Sequence, residues 1–110
     1  MSIKKTKAPD HYRQGDFVLM KIKAIPSGAV KEPTAKSIVL GEGETAGHRH
    51  ELLEIDKVQA YRQAEGFYLS VAQETELVHP DHGQIALMPG TYEVIRQHEF
   101  QRKEVVRVQD

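Results

Sequence analysis

Two short stretches of the 110-residue chain concentrate side chains that could do chemistry. The first runs Leu40-Gly41-Glu42-Gly43-Glu44-Thr45-Ala46-Gly47-His48-Arg49-His50; it is glycine-rich and acidic and ends in a His-x-His pair. The second is His79-Pro80-Asp81-His82-Gly83. On a strand, residues i and i+2 face the same way, about 6.5–7 Å apart. His48 and His50 are therefore expected side by side, with Arg49 turned away. In the second stretch, Pro80 and Asp81 stand at the two central positions of a type I turn, which brings its first and fourth Cα atoms within about 7 Å. Each pair thus converges for its own geometric reason. Four imidazoles make a donor set for a divalent transition metal; Zn²⁺ suits them best, and Fe, Ni or Cu also take such ligands. A hard cation such as Ca²⁺ would want carboxylates instead. The expected metal ligands are His48, His50, His79 and His82.

A plainer reading stands beside this one. His79 and His82 could cap their turn, and a His-x-His pair beside a glycine loop could be a surface feature. Gly41, Gly43 and Gly47 could serve a bend or a bulge. They do not make a phosphate loop, since no Gly-Lys-Ser/Thr follows and no helix begins there. Ser27, Ser37 and Ser70 lack a nucleophile-elbow context. Glu42, Glu44, Glu51 and Glu54 read as a solvated acidic face, and His98 as a surface residue. No nucleotide or flavin fingerprint occurs. The pattern indicates a site and names no reaction.

Composition bounds what could hold such a site. A chain of this length is most simply one domain, long enough to bury a real core. It has no cysteine, which excludes disulfides, thiol catalysis and Cys-type zinc sites. That fits a reducing cytosol. No apolar run reaches the ~20 residues of a membrane span, and Met1 to Lys7 is basic without an apolar segment after it, unlike a secretory signal. Net charge is −1 but unevenly spread. Residues 1–36 carry eight Lys/Arg against three Asp/Glu, whereas residues 37–99 carry four against eleven. The acidic middle holds both histidine pairs and favours a cation over a phosphate backbone. The basic start has no aromatic interleaving, so a solvated tail is expected there rather than a nucleic-acid contact.

The elements that must position the histidines read as short strands. Residues 1–12 are expected to be a flexible tail and 13–110 a single β domain, its first strand beginning at Phe17 after a Gly15-Asp16 turn. Further strands are expected at 37–40, 48–55, 57–62, 67–71, 74–78, 84–88 and 91–96, with 104–108 pairing back at an edge. Ala64-Glu65-Gly66 and Pro89-Gly90 supply turns. So many short strands without an amphipathic helix imply an all-β fold, a small antiparallel barrel or sandwich.

Gly83-Gln84-Ile85-Ala86-Leu87-Met88-Pro89-Gly90-Thr91 resembles the second conserved motif of the cupins, and His48-x-His50 followed by Glu54 resembles the first. The resemblance covers about a third of the chain. It implies a small β-barrel with a divalent metal inside, held by His48, His50 and Glu54. Tyr92 and Glu93 stand where the second motif would supply its histidine. The wider pattern of Arg13-Gln14-Gly15-Asp16, Gly47-His48-Arg49-His50, His79 to His82 and Pro89-Gly90-Thr91-Tyr92 resembles a group of short uncharacterised bacterial and phage proteins, which brings no activity with it. Two function classes remain. One is a metal-binding cupin-like module, cytoplasmic, with its ligands in one chain or shared within a homo-oligomer. The other is a structural or interaction protein of a phage or mobile element, assembled in a virion, with the histidines in turns or at an interface.

Overall fold

The computed structural model describes residues 10–33, 36–42 and 48–97. Within them the chain forms ten strands: β1 (His11–Gln14), β2 (Phe17–Ile22), β3 (Val30–Lys31), β4 (Ile38–Glu42), β5 (Arg49–Leu52), β6 (Val58–Gln63), β7 (Gly66–Val71), β8 (Thr75–Val78), β9 (Ile85–Leu87) and β10 (Gly90–Arg96). No described residue lies in a helix long and apolar enough to cross a membrane. Every strand pair is antiparallel. The fold is therefore all-β, as the turn spacing indicates.

The strands divide into two sheets. One has six strands in the order β1-β2-β10-β7-β6-β3; the other has four, β4-β5-β8-β9. Of the expected barrel or sandwich, the antiparallel sheets form, but they are not closed into a barrel: the two sheets keep separate edges. Two strands fall where none was expected. His11 and Tyr12, assigned to a flexible tail by their lack of apolar pattern, belong to β1, which pairs with β2 from His11↔Met20 to Gln14↔Phe17. The pairing partner, not local propensity, orders them. The two-residue β3 pairs with Arg62 and Tyr61 of β6. The expected tail over 1–9 and the expected strand at 104–108 lie outside the described residues.

Period-2 alternation explains why both sheets share one core. In β7, Phe67, Leu69 and Val71 are buried while Tyr68 and Ser70 between them are only partly covered. Leu52, Leu77 and Leu87 of the small sheet and Leu19, Leu69 and Tyr92 of the large one have essentially no exposure, and all six belong to a single cluster. Each such side chain contributes about 1.5–3 kcal/mol by leaving water. Tyr92 is also fixed by its hydroxyl, which donates to the Met88 carbonyl at 2.6 Å. The Met88 N–H in turn donates to the Tyr12 hydroxyl at 3.2 Å, and the two rings meet edge to face with centroids 5.8 Å apart. This clasp ties the Pro89-Gly90 corner to β1.

Interior strand β10 links the core to the histidine stretches. It pairs with β2 from Thr91↔Ile22 to Arg96↔Phe17. That register delivers Arg96 to the start of β2, beside the Gly15-Asp16 turn.

The alternation along β5 gives a direct test. Leu52 is fully buried and Leu53 is 57% exposed. Leu52→Ala is expected to lower unfolding free energy by about 2–5 kcal/mol, and Leu53→Ser to leave it within about 0.5 kcal/mol, both read by urea unfolding. A larger cost for Leu53→Ser than for Leu52→Ala would mean that the chain presents its other face here.

Candidate functional site

The start of β5 carries the His-x-His pair. Arg49 faces out, and His50 and Leu52 face in. His48, one residue before the strand, lies on the same side as His50: both rings approach His79, at 5.7 Å and 4.3 Å between centroids. His50 is 2% exposed, whereas a third of the His48 side chain is open. The β8–β9 turn brings the second pair. The His79 and His82 rings meet at 4.6 Å, tilted by 54°, and His82 stacks on His50 at 5.8 Å. The four expected histidines therefore form one contiguous cluster of rings.

Two glycines make room for it. Gly41 pairs with His50 at a β-bulge in β4. A Cβ there would stand 2.4 Å from the tip of Phe17, whose ring packs at 4.8 Å on His50. Gly41 is thus needed for space, not for a left-handed backbone. Gly43 and Gly47 lie outside the described residues. Gly15 has φ of +59° and sits against the cluster: a Cβ on it would be 2.9 Å from His50 Cε1 and 3.0 Å from His82 Nε2.

Hydrogen bonds fix which imidazole nitrogens carry protons. Gln14 is buried, and its Nε2 donates to the Leu77 carbonyl at 2.9 Å and the Gly83 carbonyl at 3.0 Å. Its Oε1 must then be the acceptor toward His50 Nδ1, 2.9 Å away. His50 consequently holds its proton on Nδ1 and presents a lone pair on Nε2. His48 Nδ1 donates to Asp81 Oδ2 at 2.9 Å, which likewise leaves Nε2 as the lone-pair nitrogen. A ring N–H given to a carboxylate or amide oxygen is the arrangement metal-ligating histidines use. His79 has the opposite polarity. Its Nδ1 accepts the N–H groups of Asp81 at 3.0 Å and His82 at 3.2 Å, so its proton resides on Nε2. His79 holds the turn together in the way the plainer reading foresees.

Two groups of this site carry little sequence signal. Gln14 is a single buried amide in a stretch without apolar pattern. Asp16 reads only as a turn residue, yet its Oδ1 is 3.9 Å from His50 Nε2 and its Oδ2 accepts from Arg96 Nε at 3.2 Å. Glu54, the carboxylate implied by the cupin resemblance, is engaged elsewhere. It accepts from Thr75 Oγ1 at 2.7 Å and Lys57 Nζ at 3.0 Å, and these bonds hold it below the usual carboxylate range. Among the described residues no three His, Asp or Glu side chains are arranged around a point that could hold a metal ion.

A family model described as Domain of unknown function (DUF8820) matches residues 13–97. The chain belongs to this family. Its span takes in Gln14, Asp16, both histidine pairs and β10, so the whole cluster lies within the family's domain. Neither the curated proteins nor the solved structures contain a match to the chain.

Burial lowers the pKa of His50 from 6.5 to about 4; His79 adds to the shift and Asp16 opposes it. Burial and His82 lower that of His79. For His50 the unfolded chain binds a proton below pH 6.5 that the folded chain refuses until about pH 4. Its contribution to stability is thus complete above 6.5 and is lost as pH falls through that window. Metal-free protein is expected to lose about 2 kcal/mol from this group between about pH 7.5 and 5, measured by urea unfolding. His50→Gln should flatten the slope by that amount; an unchanged slope would assign the effect to another group. Gly15→Ala is expected to cost about 1–3 kcal/mol through its left-handed φ and the contact with both rings. A neutral outcome in thermal melts would show that the Gly15-Asp16 turn yields easily.

Proposed function

We propose that the chain is a divalent-metal-binding β module whose ion is taken by the cluster of His48, His50, His79 and His82. One observation carries this reading: four rings from segments about thirty residues apart meet, and two have Nδ1 anchored and Nε2 left as a lone pair. Zn²⁺ matches these donors best, with Fe, Ni and Cu as chemically acceptable substitutes. His48 and His50 are donors as they stand. His82 joins by rotating its exposed side chain. His79 joins only by surrendering its bonds to the turn. Of the ligands that the cupin resemblance implies, His48 and His50 stay available, whereas Glu54 is committed to Thr75 and Lys57.

A second reading draws on His79. Its Nδ1 closes the turn and His50 binds Gln14, so the imidazoles could serve the fold alone, in a structural or interaction protein of a phage or mobile element.

Elemental analysis of untagged protein, paired with melting curves with and without chelator, separates the two. The metal reading expects one equivalent of a transition metal per chain and a lower melting temperature after its removal. At a hundredfold excess over the dissociation constant, the ion stabilises by about 2.7 kcal/mol. His48→Ala and His82→Ala should each abolish most of that increment, and the double variant should lose little more than either, since both act through one ion. Absence of metal, with melting unmoved by added Zn²⁺, would leave the histidines to the structural reading.

A further inference from the structure

We propose that Asp16 is a ligand of this site, its Oδ1 and His50 Nε2 taking one divalent transition-metal ion between them. The proposal rests on the reading of the imidazole cluster as a metal site and adds to it a residue outside both histidine pairs.

The geometry begins with the Gln14 amide. Because both its N–H groups are spent on carbonyls, His50 must donate through Nδ1, and Nε2 faces Asp16 as an acceptor. The Asp16 carboxylate oxygen is an acceptor as well. Two acceptors cannot bond to each other, and these stand 3.9 Å apart. Zn–N and Zn–O bonds are about 2.0–2.2 Å each. Their sum slightly exceeds the separation, so an ion fits between the two atoms at a bent angle. Closing that angle to tetrahedral needs a shift of only about half an ångström.

Both donors are braced from behind. Gln14 holds His50, and Arg96 holds the other oxygen of Asp16 at 3.2 Å. The β2–β10 register that sets Arg96 opposite Phe17 thereby also fixes the carboxylate. Gly15, the neighbour of Asp16, lies against both His50 and His82, with His82 Nε2 close to it. Among the described residues the His82 ring nitrogens make no hydrogen bond, so rotation of this exposed side chain brings a third donor at small cost. His48, its Nδ1 bonded to Asp81, stands one ring further out, against His79. Asp16 thus fills the place that His79, committed to its turn, leaves open. The resulting set of imidazoles and one carboxylate is that of a transition-metal site with mixed N/O ligation.

The test is titration of the untagged, metal-free chain with Zn²⁺ against a chromophoric chelator and with Co²⁺ followed by its visible absorption. Three proteins are compared: wild type, Asp16→Asn and Glu76→Gln. The expected result is Zn²⁺ binding at least about tenfold weaker in Asp16→Asn with an altered Co²⁺ spectrum, while Glu76→Gln, at an exposed position of β8 outside the cluster, stays within about threefold of wild type. In the wild type, ¹³C NMR should show the Asp16 carboxylate resonance shifting on Zn²⁺ addition, a readout that does not depend on any variant folding. Unchanged affinity and spectrum in Asp16→Asn, an unmoved Asp16 resonance, or an equal loss in Glu76→Gln would overturn the assignment of Asp16 while leaving the imidazole site standing. Failure of the wild type to bind either ion would overturn both.

Discussion

The carboxamide of Gln14 is the interaction on which the site depends. It lies on the edge strand of the six-stranded sheet, yet it donates to carbonyls at Leu77 and Gly83, in β8 and the turn after it. It therefore joins the two sheets by polar contact where the hydrophobic core ends. Removing it would strand two carbonyls and the His50 N–H. A buried polar group left unpaired costs about 1–3 kcal/mol. The amide has no spare donor, so its orientation is not negotiable, and the protonation of His50 is set by it. A choice made at one side chain on β1 thus reaches a nitrogen on β5.

Around that link the cluster is built from strand ends and corners: the β1–β2 turn, the first residues of β5, the β8–β9 turn and the last residue of β10. Strand interiors supply the apolar support, with Phe17 against His50 and the Arg96 guanidinium 5.1 Å above the Phe17 ring. The division is physically sensible. Strand centres are held by ladders and core packing on both sides, whereas corners can bring unlike side chains together from distant parts of the chain. His79 shows the tension in such a place. The same nitrogen that could ligate also satisfies two backbone N–H groups of its turn.

Alternation and turn residues make most strands legible in the sequence. β7 and β10 are marked by apolar residues at every second position, and the Ala64-Glu65 corner by its neighbours. The convergence of His48 with His50, and of His79 with His82, is legible from local spacing. What spacing does not carry is long-range pairing. Nothing in His11-Tyr12-Arg13-Gln14 marks a strand until Phe17 to Met20 is laid beside it. The separation into two sheets is equally silent, because short strands with tight turns suit a closed barrel just as well. Gln14 and Asp16 belong to the same class. Their roles are set by partners more than thirty residues away, and a lone Gln or a turn Asp has no period to betray it.

Charge is the remaining constraint on any ligand this corner accepts. With His50 held neutral by burial, its Nε2 supplies a lone pair without positive charge. Asp16 and Asp81 each bring one negative charge, and Arg96, paired with Asp16, returns one positive charge. A divalent cation placed among them meets two carboxylates and several neutral nitrogens, in the acidic middle of the chain. A phosphate or carboxylate ligand would meet both Asp side chains, with Arg96 offsetting one of them. Burying a charge without a partner is costly, so the proposed site would select its ligand by sign before it selected by size. The depressed pKa of His50 works in the same direction. A nitrogen that refuses a proton down to about pH 4 keeps its lone pair available to a metal ion through the whole range in which free imidazole, at ~6.5, would already be lost to protonation.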